Sequence, residues 1–457
     1  MTKSMTEGRP IGLILQFAVP LLVGNLLQQL YNIVDAAIVG RKLGPDALAS
    51  VGASSSVQFL VLGFCIGVCC GFGIPIAKSF GADKLEEMKD YIFHAILLAA
   101  VIAVCLTAVC ALLCNRILHI LSTPTEIYGD AYQYLLILFL GIPFTILYNL
   151  CSAILRAVGD SKTPFVFLAV STILNVVLDL FFIVVLKSGC AGAAMATITA
   201  QAVSGILCVC FIKKSIPVLH LSRRNLKIKG RMIRTMLGMG LPMGLQYSIT
   251  AIGTMVMQSA NNGLGSVYIS GFTAAMRIKQ FMMCPFDAIA TAVSVFCGQN
   301  LGAGKTDRIK KGLRQGVCVG VAYGVFAGLV SIFAGRTLSM LFISEGATTG
   351  LDVSAVLDAA AKYLRCLGFF YWSLGFLNIC RMSTQGLGYS GRTIFSGIAE
   401  MVARIFVTLV FVPVYGFDAI CFTDQTAWLA ACVYIVPVCL VSVKKVAREA
   451  AAGLPES

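Results

Sequence analysis

Long apolar stretches recur along the whole chain and are separated by short polar connections. An apolar stretch of about 20 residues is long enough to cross the hydrocarbon core of a bilayer as an α-helix. These stretches are too long and too uniformly apolar for the strands of a membrane barrel. They predict an all-α membrane protein with twelve transmembrane helices, at 11–39, 47–77, 92–114, 131–155, 164–186, 190–212, 233–260, 267–297, 314–334, 355–384, 393–413 and 425–443.

The two halves of the chain share four short matches in the same order. The matched positions lie 221 to 229 residues apart: Pro20 with Pro242, Gly44 with Gly265, 77–84 with 298–305, and 156–164 with 385–393. Because each half holds an even number of helices, both halves have the same orientation in the membrane. We therefore expect two six-helix bundles related by a pseudo-twofold axis along the membrane normal. The predicted parts are an N-lobe (1–212), a cytoplasmic linker (213–232) and a C-lobe (233–457).

Composition and charge agree with a membrane protein and indicate its orientation. Charged residues make up 12% of the chain, whereas a soluble domain carries roughly 25%. Of the 35 Lys and Arg residues, 25 lie at the termini and in the loops after even-numbered predicted helices, and 7 lie on the opposite side. The positive-inside rule then predicts a cell-membrane protein with both termini in the cytoplasm. This distribution also argues against nucleic acid as the partner of a chain with net charge +14.

Two carboxylates fall deep inside predicted helices, Asp35 in helix 1 and Asp179 in helix 5. An ionised Asp at mid-membrane costs about 2.5–3.5 kcal/mol, so its presence calls for a partner or a function. Asn175 shares a helix face with Asp179 because the two are four residues apart. Carboxylate, amide and hydroxyl oxygens suit a proton or a hard cation such as sodium. The alternative is that these groups only hold the helices together by hydrogen bonds.

Further polar residues extend this candidate site along two helices. At 100° per residue, the stripe of helix 1 that includes Asp35 also carries Asn25, Gln28, Tyr31 and Asn32. On helix 6, Thr197 and Gln201 are one turn apart. Gln28, Tyr31, Asn32 and Gln201 are therefore expected to line this stripe or a substrate cleft. Pro20 removes a backbone hydrogen bond inside helix 1 and permits bending there.

The second half carries different intramembrane charges. Asp287 in helix 8 and Glu400 in helix 11 are its predicted intramembrane acids. Glu400 and Arg404 are four residues apart and are expected to neutralise each other. Arg277 is expected to pair with Asp287 or to extend toward the membrane surface. The chain has no GxxxxGK[ST] phosphate-binding loop, so ATP hydrolysis is not expected. We expect no enzymatic activity, no cofactor and no metal other than sodium at the coupling site.

Several motifs resemble those of the multidrug and toxic compound extrusion (MATE) family, and the resemblance covers nearly the whole chain. The motifs are P-x-x-x-x-N (20–25), Y-N-x-x-D-x-x-x-V-G (31–40), R-A-x-G-D-x-K-T-P (156–164), FTAAMRI (272–278) and GQNLGAG (298–304). The resemblance implies a V-shaped pair of lobes that exchanges protons or sodium for an organic, often cationic, substrate.

The resemblance also implies which residues bind the coupling ion. Members with the ion site in the N-lobe use an Asp on helix 1, an Asn and an Asp on helix 5, and a Thr on helix 6. These positions are similar to Asp35, Asn175, Asp179 and Thr197, and the proline that bends helix 1 in such members is similar to Pro20. Other members carry acids on helices 7 and 10, which this sequence lacks. The resemblance therefore implies an N-lobe cation site.

Three functions are compatible with these observations. The first is a monomeric secondary antiporter that exports amphipathic drugs or toxic metabolites in exchange for protons or sodium, with a small organic substrate and membrane lipids as its partners. The second is a flippase for lipid-linked saccharides from the same superfamily. The third, a scaffold or receptor without transport activity, leaves the intramembrane acids without a role. We expect the first.

Overall fold

The computed structural model describes residues 3–120, 123–343 and 352–452. Within these ranges the chain is helical and contains no strand, which confirms the predicted all-α fold class. The helices are α1 (Pro10–Leu43), α2 (Pro45–Gly81), α3 (Leu85–Ile120), α4 (Thr125–Leu140), α5 (Ile142–Ala157), α6 (Lys162–Leu180), α7 (Gly189–Ser215), α8 (Gly230–Asn262), α9 (Ser266–Gly302), α10 (Thr306–Ser339), α11 (Val353–Gly368), α12 (Tyr371–Gly386), α13 (Ser390–Val410), α14 (Val412–Tyr415) and α15 (Phe417–Ala451).

The helices account for the twelve predicted spans. Among the described residues, nine helices are long and apolar enough to cross a membrane, and α4 and α5 together form a tenth span that is bent by 45°. The bend lies at Gly141, two residues before Pro143, because the proline cannot continue the hydrogen bonding of α4. The remaining two predicted spans correspond to α8, which is less apolar, and to the short helices α11 and α12 taken together.

The last helix begins earlier than predicted. Helix α15 begins at Phe417 rather than at 425, and it therefore includes Asp424, whose side chain is fully buried. The predicted boundary was wrong because the first turns of α15 are rich in polar residues, which lowers the local hydropathy. Asp418 in the first turn is favoured there, since a negative charge stabilises the N-terminal end of a helix.

The chain forms two compact units. Unit 1 comprises Met1–Met5 and Val19–Ser248, and unit 2 comprises Thr6–Ala18 and Ile249–Ser457. The N-terminal half of α8 belongs to unit 1 because it packs closely against α2: a Cβ on Gly71 would lie 2.6 Å from the Cα of Gly240. Such glycine contacts let helix backbones approach within a membrane. The division into a 1–212 lobe, a 213–232 linker and a 233–457 lobe stays a prediction.

The internal repeat is visible at equivalent points of the two halves of the chain. Gly44 and Gly265 precede α2 and α9, with φ of 92° and 106°. Gly159 and Gly388 follow α5 and α12, with φ of 84° and 89°. A side chain is disfavoured at such positive φ, so both copies place glycine where the chain turns between helices. Pro20 and Pro242, another matched pair, lie inside α1 and α8.

The connection between α7 and α8 packs against α3 in unit 1. The buried Asn225 donates hydrogen bonds to Asp90 (3.0 Å) and Glu86 (3.3 Å). The backbone N–H of Lys229 donates to His94 Nε2 at 2.8 Å, and its ammonium pairs with Asp90. These bonds hold the connection in a defined conformation although its sequence is strongly basic.

Candidate cation-binding site

Unit 1 brings together the side chains that the sequence predicted for a coupling site. The hydroxyl groups of Tyr31 on α1 and Thr197 on α7 are hydrogen bonded at 3.1 Å. The carboxyl groups of Asp35 on α1 and Asp179 on α6 are near enough to interact electrostatically. Asn175 lies one turn before Asp179 on α6, and both side chains are buried. Residues from three helices therefore meet at one place inside the membrane-spanning part of the unit.

Five buried polar atoms of this site have no hydrogen-bond partner among the described residues. Among the described residues, no hydrogen bond reaches Oδ1 of Asp35, either carboxyl oxygen of Asp179, or either amide atom of Asn175. More than 90% of buried polar groups in folded proteins are hydrogen bonded, and an unpaired one costs about 1–3 kcal/mol. Oxygens from carboxylates and an amide are ligands for a hard cation, and a pair of carboxyl groups can also share a proton. The residues fit either ion.

Tyr134 on α4 is a member of the site that the sequence analysis missed. Its buried side chain is near enough to Asp35, Asp179 and Tyr31 to interact with them electrostatically. The phenol hydroxyl can donate a hydrogen bond to a carboxylate. Tyr134 belongs to an ordinary stretch of tyrosine and leucine residues, where no spacing sets it apart. Only the packing of α4 identifies it.

The remaining residues that the sequence predicted for this region are Gln28, Asn32, Gln201 and Pro20. Gln28 and Asn32 on α1 are exposed. Gln201 accepts a hydrogen bond from Thr145 on α5, so its amide oxygen is already engaged. Helix α1 continues through Pro20 without interruption.

Unit 2 contains a separate network of buried charged residues that form ion pairs with one another. Asp424 on α15 pairs with Lys279 on α9, and its other oxygen accepts from Arg404 Nε at 3.1 Å. The hydroxyl of Tyr363 donates to Asp424 at 2.5 Å. Glu400 accepts from Arg404 at 3.3 Å, as the i, i+4 spacing predicted. The sequence analysis did not recognise the part that Lys279 and Asp424 play.

Two further side chains of unit 2 differ from expectation. Arg381, near the end of the predicted span 355–384, is buried and pairs with Glu400, a pairing that the sequence analysis did not predict. The predicted pairing of Asp287 with Arg277 is wrong: among the described residues Asp287 has no ion pair, and its side chain is exposed. The nearby charge acting on Asp287 is that of Arg381, which is bonded to Glu400 instead. A helix periodicity indicates a shared face but not which neighbour a side chain meets.

Comparison with known proteins identifies the family. The profile of the MatE family matches residues 20–181 and 242–410, more than half of the chain. The chain belongs to the MATE family. This MATE transporter is similar to the probable multidrug resistance protein YpnP of Bacillus subtilis (strain 168), with 32% identity over 374 residues that cover 81% of each protein. It is also similar to the probable multidrug resistance protein NorM of Thermotoga maritima, with 23% identity over 88% of this chain and 86% of NorM.

Solved structures agree with the fold. An outward-facing multidrug resistance MATE family transporter of the MOP superfamily superimposes with a TM-score of 0.89, at 20% identity, over 97% of this chain and 98% of that one. The twelve-helix architecture predicted from the sequence is therefore that of a MATE transporter. The chain therefore belongs to a family of multi-pass membrane transporters.

Proposed function

We propose that this MATE transporter is a secondary antiporter that exports amphipathic, often cationic, organic compounds in exchange for protons or sodium. The proposed coupling site consists of Asp35, Asp179, Asn175 and Thr197, with Tyr31 bonded to Thr197. The observation that supports it most strongly is the set of five buried polar atoms on Asp35, Asp179 and Asn175 that have no partner among the described residues.

The chemistry of coupling follows from this arrangement. A proton shared by the two carboxyl groups, or a sodium ion among their oxygens, removes the repulsion between two adjacent negative charges. Ion binding therefore draws α1 and α6 together around Asp35 and Asp179. A cationic substrate is favoured by the opposite condition, in which the carboxylates are charged. Ion and substrate then compete, and the inward flow of the ion drives the substrate outward.

The relatives support the substrate class. YpnP and NorM are both named as probable multidrug resistance proteins, and a multidrug exporter handles small organic compounds rather than lipid-linked saccharides. The flippase alternative is therefore not favoured. We propose that the transporter acts as a monomer among the lipids of the cell membrane. The excess of Lys and Arg that the sequence assigns to one side supports cytoplasmic termini.

The ion can be identified in proteoliposomes. We expect ethidium transport by the purified protein to accelerate when a pH gradient or a sodium gradient is imposed separately, with the membrane potential clamped by potassium and valinomycin. Fluorescence of ethidium reports the initial rate, and protein-free vesicles give the leak. Acceleration by one gradient alone names the coupling ion. Equal rates with and without both gradients would contradict secondary antiport.

A further inference from the structure

A polar stripe runs along one face of α9 in unit 2. Between positions 269 and 302, all of them described, the exposed side chains are those of Thr273, Gln280 and Asp287. They are spaced by seven residues, which is close to two helical turns, so they lie on nearly the same face. The remainder of this stretch is buried or half-buried. Between positions 269 and 302, each exposed position thus carries a polar side chain, and the exposed Tyr268 lies just before this stretch.

The stripe differs from the lipid-facing surfaces of the same unit. Helix α10 exposes large apolar side chains, with Phe326 exposed by 61% and Phe333 by 82%. Hydrocarbon tolerates such groups, whereas a charged carboxylate at bilayer depth costs about 2.5–3.5 kcal/mol. Intramembrane acids almost always face the protein interior or a water-filled cavity. The exposed carboxylate of Asp287 therefore faces water rather than lipid.

Among the described residues, no cationic side chain is paired with Asp287. Among the described residues its carboxylate accepts no hydrogen bond and forms no ion pair, and Arg381 is committed to Glu400 and to Ser396 Oγ at 3.0 Å. Arg277 lies ten positions earlier on α9, about 15 Å along the helix axis. The other charged side chains of the unit 2 network, Lys279 and Arg404, are bonded to Asp424. Asp287 is left as an accessible carboxyl group without an ion-pair partner among the described residues.

The surroundings of Asp287 indicate the kind of ligand. Met283 lies one turn before Asp287 on a neighbouring part of the face and is half-buried. Its flexible thioether can contact apolar groups of varied shape. Gln280 offers an amide two turns away. One carboxylate beside apolar and neutral polar groups suits an amphipathic ligand with a single positive charge.

We propose that Thr273, Gln280 and Asp287 form a substrate-binding face on α9, in which the Asp287 carboxylate is the counter-ion of a monovalent organic cation. This proposal rests on the proposed export of such compounds and assigns part of their binding to unit 2. It is separate from the coupling site on α1 and α6.

The test is binding of radiolabelled tetraphenylphosphonium to the purified full-length protein. Asp287→Asn keeps the shape of the side chain and removes its charge, and we expect it to weaken binding about tenfold or more, which corresponds to 1.4 kcal/mol or more. Asp287→Glu should retain most of the affinity. Asp307→Asn, at an exposed position of α10 that pairs with Lys310, is the matched control and should bind like the wild type. Thermal unfolding confirms that each variant is folded.

Three outcomes would overturn the proposal. If the wild type binds the probe and Asp287→Asn binds it with the same affinity, Asp287 is not part of the substrate site. The proposed function is then unaffected. Unchanged affinity together with lost dependence on sodium or pH assigns Asp287 to the coupling ion instead. No binding of tetraphenylphosphonium, ethidium or rhodamine 6G by the wild type would contradict both this proposal and the proposed export of organic cations.

Discussion

Replacing Asp35 with Asn is expected to lower ion-driven efflux of ethidium about tenfold or more, to nearly the leak of empty vesicles. The amide has the size of the carboxyl group but cannot take up a proton or supply a negative charge to sodium. Asp179 would then lack the adjacent carboxyl group with which we propose that it shares the ion. Transport under an imposed gradient in proteoliposomes measures the effect, and Asp179→Asn should give the same result.

A matched control separates this effect from general damage. Asp83 is an exposed aspartate in the turn after α2, where φ is 57°, a conformation that Asn also tolerates. Asp83→Asn should therefore transport at the wild-type rate. If Asp35→Asn, present in the membrane at the wild-type level, retains gradient-driven efflux, then Asp35 does not carry the coupling ion.

Replacing Asp424 with Asn is expected to give the largest loss of stability. The change leaves Lys279 without its ion-pair partner and weakens the hydrogen bond from Arg404. Both cations are buried. Removing one partner of a buried ion pair costs about 3–5 kcal/mol because the remaining charge is not compensated. The unfolding temperature of the purified protein in detergent should fall by several degrees.

Asp418 provides the control on the same helix. It pairs with Lys362, but both side chains are largely exposed, and an exposed pair contributes about 0–1 kcal/mol. Asp418→Asn should change the unfolding temperature little. In the double variant Lys279→Met, Asp424→Asn, most of the lost stability should return, because Lys279 is then no longer an unpaired charge. An Asp424→Asn variant as stable as the wild type would show that the network does not stabilise unit 2.

Local spacing predicted those features that depend on one helix or on an internal repeat. The Glu400 and Arg404 pair follows from the i, i+4 spacing, and the matched glycines mark equivalent turns in the two units. The long apolar stretches predicted the helices, since a bilayer imposes their length. The convergence of Asp35 and Asp179 was expected from the cost of placing acids in hydrocarbon and from the resemblance to the MATE family.

Contacts between distant helices were beyond what the sequence could predict. Lys279 and Asp424 are 145 residues apart, and their pairing depends on how α9 packs against α15. The beginning of α15 was also obscured by polar residues, which excluded Asp424 from the predicted span. Tyr134 and Asp287 show the same limit: their roles depend on whether a side chain meets a neighbour or water, and periodicity alone does not determine this.

We propose that Asp35 and Asp179 together hold the ion that competes with the substrate. The most direct test of this proposal is the affinity of purified protein for tetraphenylphosphonium, measured as pH is lowered and, separately, as sodium is raised. The wild type should bind the probe more weakly as one of these ions increases, and the double variant Asp35→Asn, Asp179→Asn should bind it with an affinity independent of both. Retention of the wild-type ion dependence by the double variant would contradict the account.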